Sequence, residues 1–413
     1  MPRSRKRRNG SLWPGMALGA AIVLIGAAAV FAAQHLPGSQ ATATPVSAAP
    51  SAVHSAHAAA TAKPASPATP SHAATPRPTP APTPASWTGL RDSGARIGLG
   101  DVTQIVAWPG GMLARPANEA TAQLQFSTDG RTWTASGDAG TFGGESGELD
   151  GIAWNGKQLL AAGSVMGAVA PTPSIWTSAD GRSWKSVDTG GSFDPGQRLV
   201  NLVANGTAFV GATQDGEVWR SADGTSWTSA TLPGASNVRV VQLVATSKAF
   251  AIVGLDGGDG AQVPNKGVTI WSSADGRTWY SKVLSSTDWA WERVFVLDDR
   301  FVSYEGADSA PTSDSLPTRA WQSADGATWT SLAIPPATFH VVGSNGSRLV
   351  AQAQMRKSGA PFVLDQSADG VHWTALPIAG DTSQLEVVRA VVAGGVFVSK
   401  SPVGALEYYA VEP

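Results

Sequence analysis

SADGRTW, residues 273–279, is the stretch that decides the fold, because five further copies of this phrase occur in the chain. The aspartates of the six copies are separated by 43 to 52 residues. A repeat of about 40–50 residues with strand-like content is typical of a β-propeller. The other copies are STDGRTW (127–133), SADGRSW (178–184), SADGTSW (221–227), SADGATW (323–329) and SADGVHW (367–373).

Each repeat carries the pattern of four short strands. Two apolar runs joined by a tight polar turn precede the phrase, as in LVNLVANGTAFVGA at 199–212. A third strand, such as 269–271, leads into the phrase, and a fourth, such as 328–332, follows it. Four antiparallel strands per repeat predict one propeller blade.

The two ends of the chain predict a seventh blade. After the sixth phrase the chain continues with two strands and a third near 405–411, and no phrase follows. SWTGL at 86–90 matches the outer strands SWTSA at 226–230 and TWTSL at 328–332. We expect this N-terminal strand to complete the last blade, because closing the ring removes two sheet edges. The predicted fold is therefore all-β, a seven-bladed β-propeller over residues 86–413.

The composition of the phrase suggests that it is structural. Adjacent Asp and Gly between strands predict a two-residue type I′ hairpin turn. The aspartate, and the serine two residues before it, can bond backbone N–H groups, and the tryptophan offers a large apolar surface. We expect the turn on the lower, outer rim, away from functional sites. The aspartates given this structural role are Asp129, Asp180, Asp223, Asp275, Asp325 and Asp369.

The phrase resembles the Asp-box, or BNR repeat, of sialidases and related propellers, whose pattern is Ser-x-Asp-x-Gly-x-Thr-Trp. Every copy here lacks the residue between Asp and Gly. The resemblance, which covers residues 86–413, therefore points to the wider BNR-like group of propellers rather than to a true sialidase. It implies the fold, and it leaves open a binding propeller, a scaffold similar to assembly-factor propellers, or an exo-sialidase-like glycoside hydrolase.

The N-terminal region predicts export. Residues 1–14 contain RSRKRR and form a basic cytoplasmic segment, and residues 15–36 are expected to be a transmembrane signal-anchor helix. Residues 37–85 are mostly Ala, Pro, Ser and Thr, a composition typical of an extended linker. We expect a single-pass membrane protein with its propeller outside the cell. Ala27-Ala28-Ala29 is a small-residue cleavage pattern, so secretion after cleavage is the alternative.

The overall composition limits the classes of partner and cofactor that the protein is expected to bind. The formal net charge is −2 and 15% of the residues are charged, so no basic surplus indicates nucleic-acid binding. The chain has no cysteine, which excludes disulfides and a lipid-modified N-terminal cysteine. The loop LDGGDG at 255–260 contains carboxylates and glycines but lacks the ligands of a calcium motif. We predict no cofactor and no metal.

A candidate binding site appears when the blades are aligned on their Asn-Gly-like turns. Five residues before the turn, five of seven positions are polar, whereas two residues later all seven are apolar. This pattern predicts a wet channel mouth on the upper face, formed either by solvated strand ends or by an arginine-bearing site for an anionic or sugar ligand. The candidate residues are Gln104, Asp150, Arg293, His340 and Arg389 from the polar column, with Arg198, Arg239, Trp289 and Trp291 nearby.

Few residues of this sequence match those that sialidase chemistry requires. Such enzymes need an arginine cluster, a tyrosine nucleophile with a glutamate, and an aspartic acid/base. The nearest match to their Arg-Ile-Pro motif is Leu113-Ala114-Arg115-Pro116, and only four tyrosines exist. We assign no catalytic residue. The sequence favours a non-catalytic binding or scaffold module for a cell-envelope protein or glycan, with an anionic group among the candidate ligands; the alternative is an exo-sialidase-like glycoside hydrolase.

Overall fold

The structure is a computed structural model in which every described residue belongs to one compact unit, Pro84–Pro413. The predicted segments 1–14, 15–36 and 37–85 lie outside the described residues. Within the described part of the chain, no helix is long and apolar enough to cross a bilayer. The described residues are 87–412 without 98–101, 117–122, 139, 168–169, 195, 214–215, 236–237, 258–266, 286–290, 307–318, 334–338, 354–361, 383–384, 386 and 400–405.

Seven sheets make up the unit, six of them wholly antiparallel, which confirms the predicted seven blades. The first three blades are β2–β5 (Val102–Trp108, Gly111–Pro116, Leu124–Ser127, Thr134–Ser136), β6–β9 (Gly147–Trp154, Leu159–Met166, Pro171–Ser178, Lys185–Val187) and β10–β13 (Leu199–Ala204, Phe209–Thr213, Glu217–Ser221, Trp227–Thr231). A short 3₁₀ helix, Gly144–Ser146, precedes β6.

The next three blades have the same order. They are β14–β17 (Val238–Ala245, Phe250–Asp256, Val268–Ser273, Tyr280–Ser285), β18–β21 (Trp291–Leu297, Arg300–Gly306, Ala320–Ser323, Thr330–Ser331) and β22–β25 (Phe339–Ser344, Leu349–Ala353, Leu364–Ser367, Thr374–Leu376). The first strand of each blade contacts the first strands of its two neighbours, so these innermost strands form a closed ring.

The seventh blade joins the two ends of the propeller, as the sequence predicts. Its C-terminal strands are β27 (Val387–Val392), β28 (Gly395–Ser399) and β29 (Leu406–Val411), and the N-terminal strand β1 (Leu90–Ile97) pairs antiparallel with β29. The closing strand therefore starts later than the predicted 86–90. A short fifth strand that the sequence did not predict, β26 (Ile378–Ala379), pairs parallel with β1.

Apolar cores fill the seven spaces between neighbouring blades. Each core contains one tryptophan that stands just before an outer strand or at its first residue, and six of these belong to the phrases. Trp87, which is 8% exposed, takes the corresponding place between the sixth and seventh blades. The phrase tryptophans are Trp133, Trp184, Trp227, Trp279, Trp329 and Trp373.

The strand directions define two faces. We call the end where the innermost strands begin the upper face, and the end with the turns between first and second strands the lower face. Because the strands of a blade alternate in direction, the phrase between third and fourth strands lies on the lower face, towards the outside. The upper ends of the innermost strands surround what we call the upper mouth.

The predicted type I′ turn of the phrase is wrong. That turn needs a positive φ at both central residues, whereas Asp298 and Asp299 are the only described non-glycine residues with positive φ. Instead, the phrase is a loop of five or six residues, in which Asp275 Oδ1 accepts from the N–H groups of Arg277 and Thr278 at 2.8 and 2.9 Å. A carboxylate can serve several N–H donors, so it stabilises a wider loop than a hairpin turn.

The glycine of each phrase packs against the preceding blade. Gly276 has a φ of 73°, and a Cβ there would lie 2.9 Å from Cγ2 of Val210. The neighbouring blade also bonds the phrase, because Arg220 Nε donates to the carbonyl of Asp275 at 2.7 Å. The phrase therefore holds consecutive blades together as well as turning the chain.

Candidate functional site

Six of the seven innermost strands carry a β-bulge near the upper mouth. The bulged residues are Thr103, Asp150, Val200, Val241, Val342 and Arg389. Each bulge adds a residue that counting back from the turn cannot detect. Asp150 and Arg389 of the predicted column are therefore equivalent, whereas Gln104 lies one residue after the bulge of its strand and His340 lies two before.

Gln104 uses its side chain to join two blades. Its Nε2 donates to the carbonyl of Ile152 at 2.9 Å, and its Oε1 accepts from the N–H of the same residue at 3.0 Å. Gln242 bonds Val294 in the same way, at 2.8 and 3.1 Å. The polar side chain of Gln104 therefore bonds the backbone of a neighbouring innermost strand. The sequence alignment did not select the equivalent Gln242, because of the bulge in its strand.

Asp150 and Arg198 belong to a charged cluster that spans the first three blades. Arg198 Nε lies 2.9 Å from both carboxylate oxygens of Asp150, and its Nη2 bonds Asp150 and Glu148. Asp150 is 6% exposed. Burial raises the pKa of the Asp150 carboxyl, while the hydrogen bonds and charge of Arg198 oppose this rise. Because Arg198 faces two carboxylates, its charge is neutralised within the protein.

Arg115 completes this cluster from the first blade. Its Nη1 donates to the carbonyl of Leu149 at 2.9 Å, and its Nε is buried without a hydrogen-bond partner. Burial lowers the pKa of Arg115, and the nearby charge of Asp150 opposes that effect. Arg115 and Glu148 were not among the predicted site residues, although Arg115 stood in the closest match to the Arg-Ile-Pro motif.

Two arginines at the upper mouth have no hydrogen-bond or ionic partner among the described residues. Arg293 is exposed, yet burial lowers its pKa. Arg293 is the third residue of β18, so its side chain lies near the upper end of an innermost strand. Arg239 is half-buried, and its Nε is fully buried without a partner.

The remaining predicted residues have different positions. Arg389 Nε lies 3.3 Å from Ser399 Oγ in the next strand of its own blade, so its guanidinium is already engaged. Trp291 and His340 belong to β18 and β22, and only their backbone positions are described. Trp289 lies outside the described residues.

A tyrosine–glutamate pair does exist, but in the outer half of the seventh blade. Tyr409 donates from its hydroxyl to Glu407 Oε2 at 3.1 Å, and Arg96 Nε lies 2.8 Å from Glu407 Oε1. Tyr409 and Glu407 are each 2% exposed. Burial raises the pKa of Tyr409, and Glu407 adds to this rise. A tyrosine nucleophile needs activation and access to substrate, so this pair stabilises the closing strand instead.

The other tyrosines also lie in structural or surface positions. Tyr304 is 2% exposed and donates to the carbonyl of Gly370 at 3.0 Å, and burial raises its pKa. Tyr408 stacks on Phe397 with ring centroids 4.7 Å apart. Tyr280 is 62% exposed on the outer strand β17. All four tyrosines of the chain are described, and of these Tyr409 alone bonds a glutamate in the described structure, in a buried position where its pKa is raised.

In the described part of the 255–260 loop, one carboxylate side chain makes a hydrogen bond within the protein. Asp256 Oδ2 accepts from Thr269 Oγ1 at 2.9 Å. In the described ranges, no group of three or more His, Cys, Asp or Glu side chains is arranged to hold a metal ion. Residues 258–260 lie outside those ranges.

Comparisons with known protein structures support the propeller fold. No protein-family model matches the chain, and no curated protein matches it. A structure of YCF48 bound to D1 peptide is similar with a TM-score of 0.50 at 14% identity, covering 82% of this chain and 100% of that one. The WD40 β-propeller domain of Doa1 is similar with a TM-score of 0.47 at 13% identity, covering 79% and 98%.

A glycoside hydrolase is also among the similar structures. The GH74 enzyme of Niastella koreensis matches with a TM-score of 0.46 at 17% identity, covering 70% of this chain. This chain spans about half of that enzyme, because the match covers 47% of its length. At such identities the likeness establishes the architecture and not the activity. The chain is a seven-bladed β-propeller.

Proposed function

We propose that this protein is a non-catalytic binding module that holds an envelope protein at its upper mouth, outside the cell, while residues 15–36 attach it to the membrane. The module belongs, in this proposal, to the wider BNR-like group of propellers. The observation that carries the proposal is the pair of arginines without a described partner, Arg239 and Arg293, near the upper ends of β14 and β18. Groups of this kind gain hydrogen bonds when a ligand arrives.

The contrast between the two faces supports the choice of the upper mouth. On the lower face, each described phrase aspartate bonds backbone N–H groups of its own loop, and Asp299 accepts from the N–H and hydroxyl of Ser247, both at 2.6 Å. The hydrogen-bonding capacity of those polar groups is used within the protein. Bulges, by contrast, concentrate at the upper ends of the innermost strands, and bulges often re-aim side chains near binding sites.

The glycoside-hydrolase alternative has less support. Glu148 and Asp150, two described carboxylates near the start of β6, both bond Arg198. The buried pair Tyr409–Glu407 lies away from the mouth and has a raised tyrosine pKa. The YCF48 structure holds a D1 peptide, and we extend this class of ligand, a peptide segment, to the present chain as part of the proposal.

Site-specific crosslinking in native membranes tests the proposal. A photoreactive amino acid replaces the exposed Thr103, at the upper mouth, or the exposed Lys157, in a lower-face turn, in the full chain. We expect one protein to be captured from Thr103 and not from Lys157. Equal capture from both positions, or capture from Lys157 alone, contradicts binding at the upper mouth.

A hydrolase assay runs beside the crosslinking. The wild-type chain and the Asp150→Asn variant are incubated with a fluorogenic sialoside. We expect no turnover above the rate without protein. Turnover by the wild type that Asp150→Asn abolishes would favour the glycoside hydrolase instead.

A further inference from the structure

The arginines of the upper mouth differ in what they contact. Arg115 donates to a backbone carbonyl, Arg198 bonds two carboxylates, and Arg389 bonds a serine hydroxyl. Arg239 and Arg293 have no such contact in the described structure. The two arginines without a described partner therefore lie on the fourth and fifth blades, which are neighbours in the ring.

The relative height of these two arginines follows from the hydrogen bonds of Gln242. This side chain bonds both backbone groups of Val294, so Gln242 of β14 is level with Val294 of β18. Arg293 is one residue above that level, and Arg239 is three residues above it with a bulge between. At about 3.3 Å per residue, the two arginines differ in height by no more than about 7 Å.

The directions of the side chains follow from the strand pleat. Val238 and Val240 pack in the core between the third and fourth blades, so Arg239 projects from the opposite side of β14, towards the fifth blade. Val294 packs between the fourth and fifth blades and Phe295 between the fifth and sixth. Arg239 and Arg293 therefore flank the beginning of β18, one on each side.

Both guanidinium groups are in an unfavourable environment when the mouth is empty. The buried Nε of Arg239 has no acceptor among the described residues, and an unsatisfied buried donor is destabilising. Desolvation also acts on Arg293, as its lowered pKa indicates. An anion placed above β18 could bond the terminal Nη atoms of Arg239, which are not among the buried atoms without a partner, and would offset the desolvation at Arg293. Guanidinium groups bind planar oxyanions through two parallel hydrogen bonds.

We infer that Arg239 and Arg293 form a carboxylate-binding site that takes an Asp or Glu side chain of an acidic segment of the protein partner. This inference rests on the proposed function and specifies its ligand chemistry. Arg293 is open to water, so a loop or chain end can reach it without the enclosure that a small ligand would need. No carboxylate of the described residues pairs with either arginine, so their charge is available for one from outside.

Binding of a fluorescent oligoglutamate peptide to the full chain in detergent tests the site by anisotropy. Arg239→Ala and Arg293→Ala should each weaken binding by about tenfold or more, because each removes charge-assisted hydrogen bonds. Arg239→Lys and Arg293→Lys should weaken it less than alanine but measurably, since lysine keeps the charge and loses the paired geometry. Arg277→Ala, which removes an exposed arginine of a lower-face phrase, is the matched control and should bind as wild type.

Three arms separate the sources of the anion. Oligoglutamine is the neutral peptide, a glucuronic acid oligosaccharide is the sugar carboxylate, and inorganic phosphate is a free anion. Preference for oligoglutamate over all three supports the inference. No binding of oligoglutamate, equal binding by the double alanine variant with an unchanged unfolding midpoint, or preference for the sugar would overturn it.

The crosslinking experiment distinguishes this inference from the proposed function. A partner that is captured from Thr103 in wild type and equally in the Arg239→Ala/Arg293→Ala variant leaves the binding module standing and removes the carboxylate site. Absence of any capture from the upper mouth removes the proposed function itself.

Discussion

Gln366 donates a hydrogen bond from its side-chain Nε2 to the carbonyl of Trp87 at 2.7 Å, across 279 residues of sequence. Arg348 adds to this junction, because its guanidinium lies 5.7 Å from the centroid of the Trp87 indole and donates to Gln366 Oε1 at 2.8 Å. The start of the propeller domain is thus attached to the sixth blade before β1 enters the seventh. Ring closure therefore depends on Trp87 as well as on strand pairing.

Trp87→Ala should lower the free energy of unfolding by about 3–5 kcal/mol, because it removes a buried aromatic side chain from the core at the closure. Urea titration followed by tryptophan fluorescence and circular dichroism measures the loss. Trp329→Ala is the matched variant, since Trp329 is 6% exposed and occupies the same place between the fourth and fifth blades. An unchanged midpoint for Trp87→Ala alone would refute the closing role.

Asp275→Ala should destabilise the propeller by about 1–2 kcal/mol, through loss of the hydrogen bonds to the N–H groups of Arg277 and Thr278. Partner binding by the folded fraction should not change, because the phrase lies on the lower face. Asp194→Ala removes an exposed aspartate outside the phrases and serves as the control. Selective loss of binding at unchanged stability would assign the phrase a functional role.

Stability should fall as the pH decreases from about 4 towards 2. The pKa of each of the six phrase aspartates is lowered, and backbone N–H groups led by that of Ser183 hold the pKa of Asp180 at about 2. A carboxyl group whose folded pKa is depressed adds stability above its unfolded pKa, near 3.9, and loses it as the pH falls through the folded value. Urea midpoints from pH 7 to pH 2 measure the trend, and Asp180→Asn should show a shallower decline. A flat profile for the wild type would contradict the prediction.

Gln104→Leu should lower stability by about 1–3 kcal/mol, because it leaves the N–H and the carbonyl of Ile152 without their side-chain partner. Gln242→Leu should cost a similar amount, and the two losses should add, since the sites share no partner. Gln158→Leu is the comparison, because Gln158 Nε2 makes one inter-blade bond, to the carbonyl of Asp223. A smaller loss for Gln104→Leu than for Gln158→Leu would argue against the two-bond clamp.

Arg198→Ala should cost about 2 kcal/mol at pH 7, less than the loss of a fully buried pair because the Arg198 side chain is 36% exposed. Without Arg198, burial would hold the folded pKa of Asp150 above its unfolded value. The buried Asp150 carboxyl destabilises the folded variant when it is charged and much less when it is protonated. The stability difference between Arg198→Ala and the wild type should therefore shrink as the pH falls through the raised pKa of Asp150. Asp150→Asn in the same chain should restore part of the stability at pH 7. A deficit that grows at acidic pH would contradict this account.

Features set by residues close together in the sequence were predicted correctly more often than features set by contacts between distant residues. The blade number and the four strands of each blade followed from local patterns, because six of the seven repeats carry the phrase, whereas the extra strand β26 was not predicted. The predicted phrase turn was wrong, since a two-residue turn and a wider loop both suit Asp-Gly. The wider loop is the one in which the aspartate carboxylate and the serine hydroxyl bond backbone N–H groups. The column at the mouth was misaligned at Gln104 and His340, because bulges arise from strand pairing and leave no mark in the spacing of turns.

The sequence by itself determined that seven blades form and that the first strand of the propeller completes the last one, because the repeat period and the unmatched strands are properties of the chain order. Only the tertiary structure decided which polar residues at the upper mouth are consumed internally. Gln104 meets the backbone of Ile152, Arg198 meets Asp150, and Arg239 meets no acceptor in the described structure. Hydrogen bonds between blades join residues about 50 positions apart, and their geometry exists only once the ring has closed.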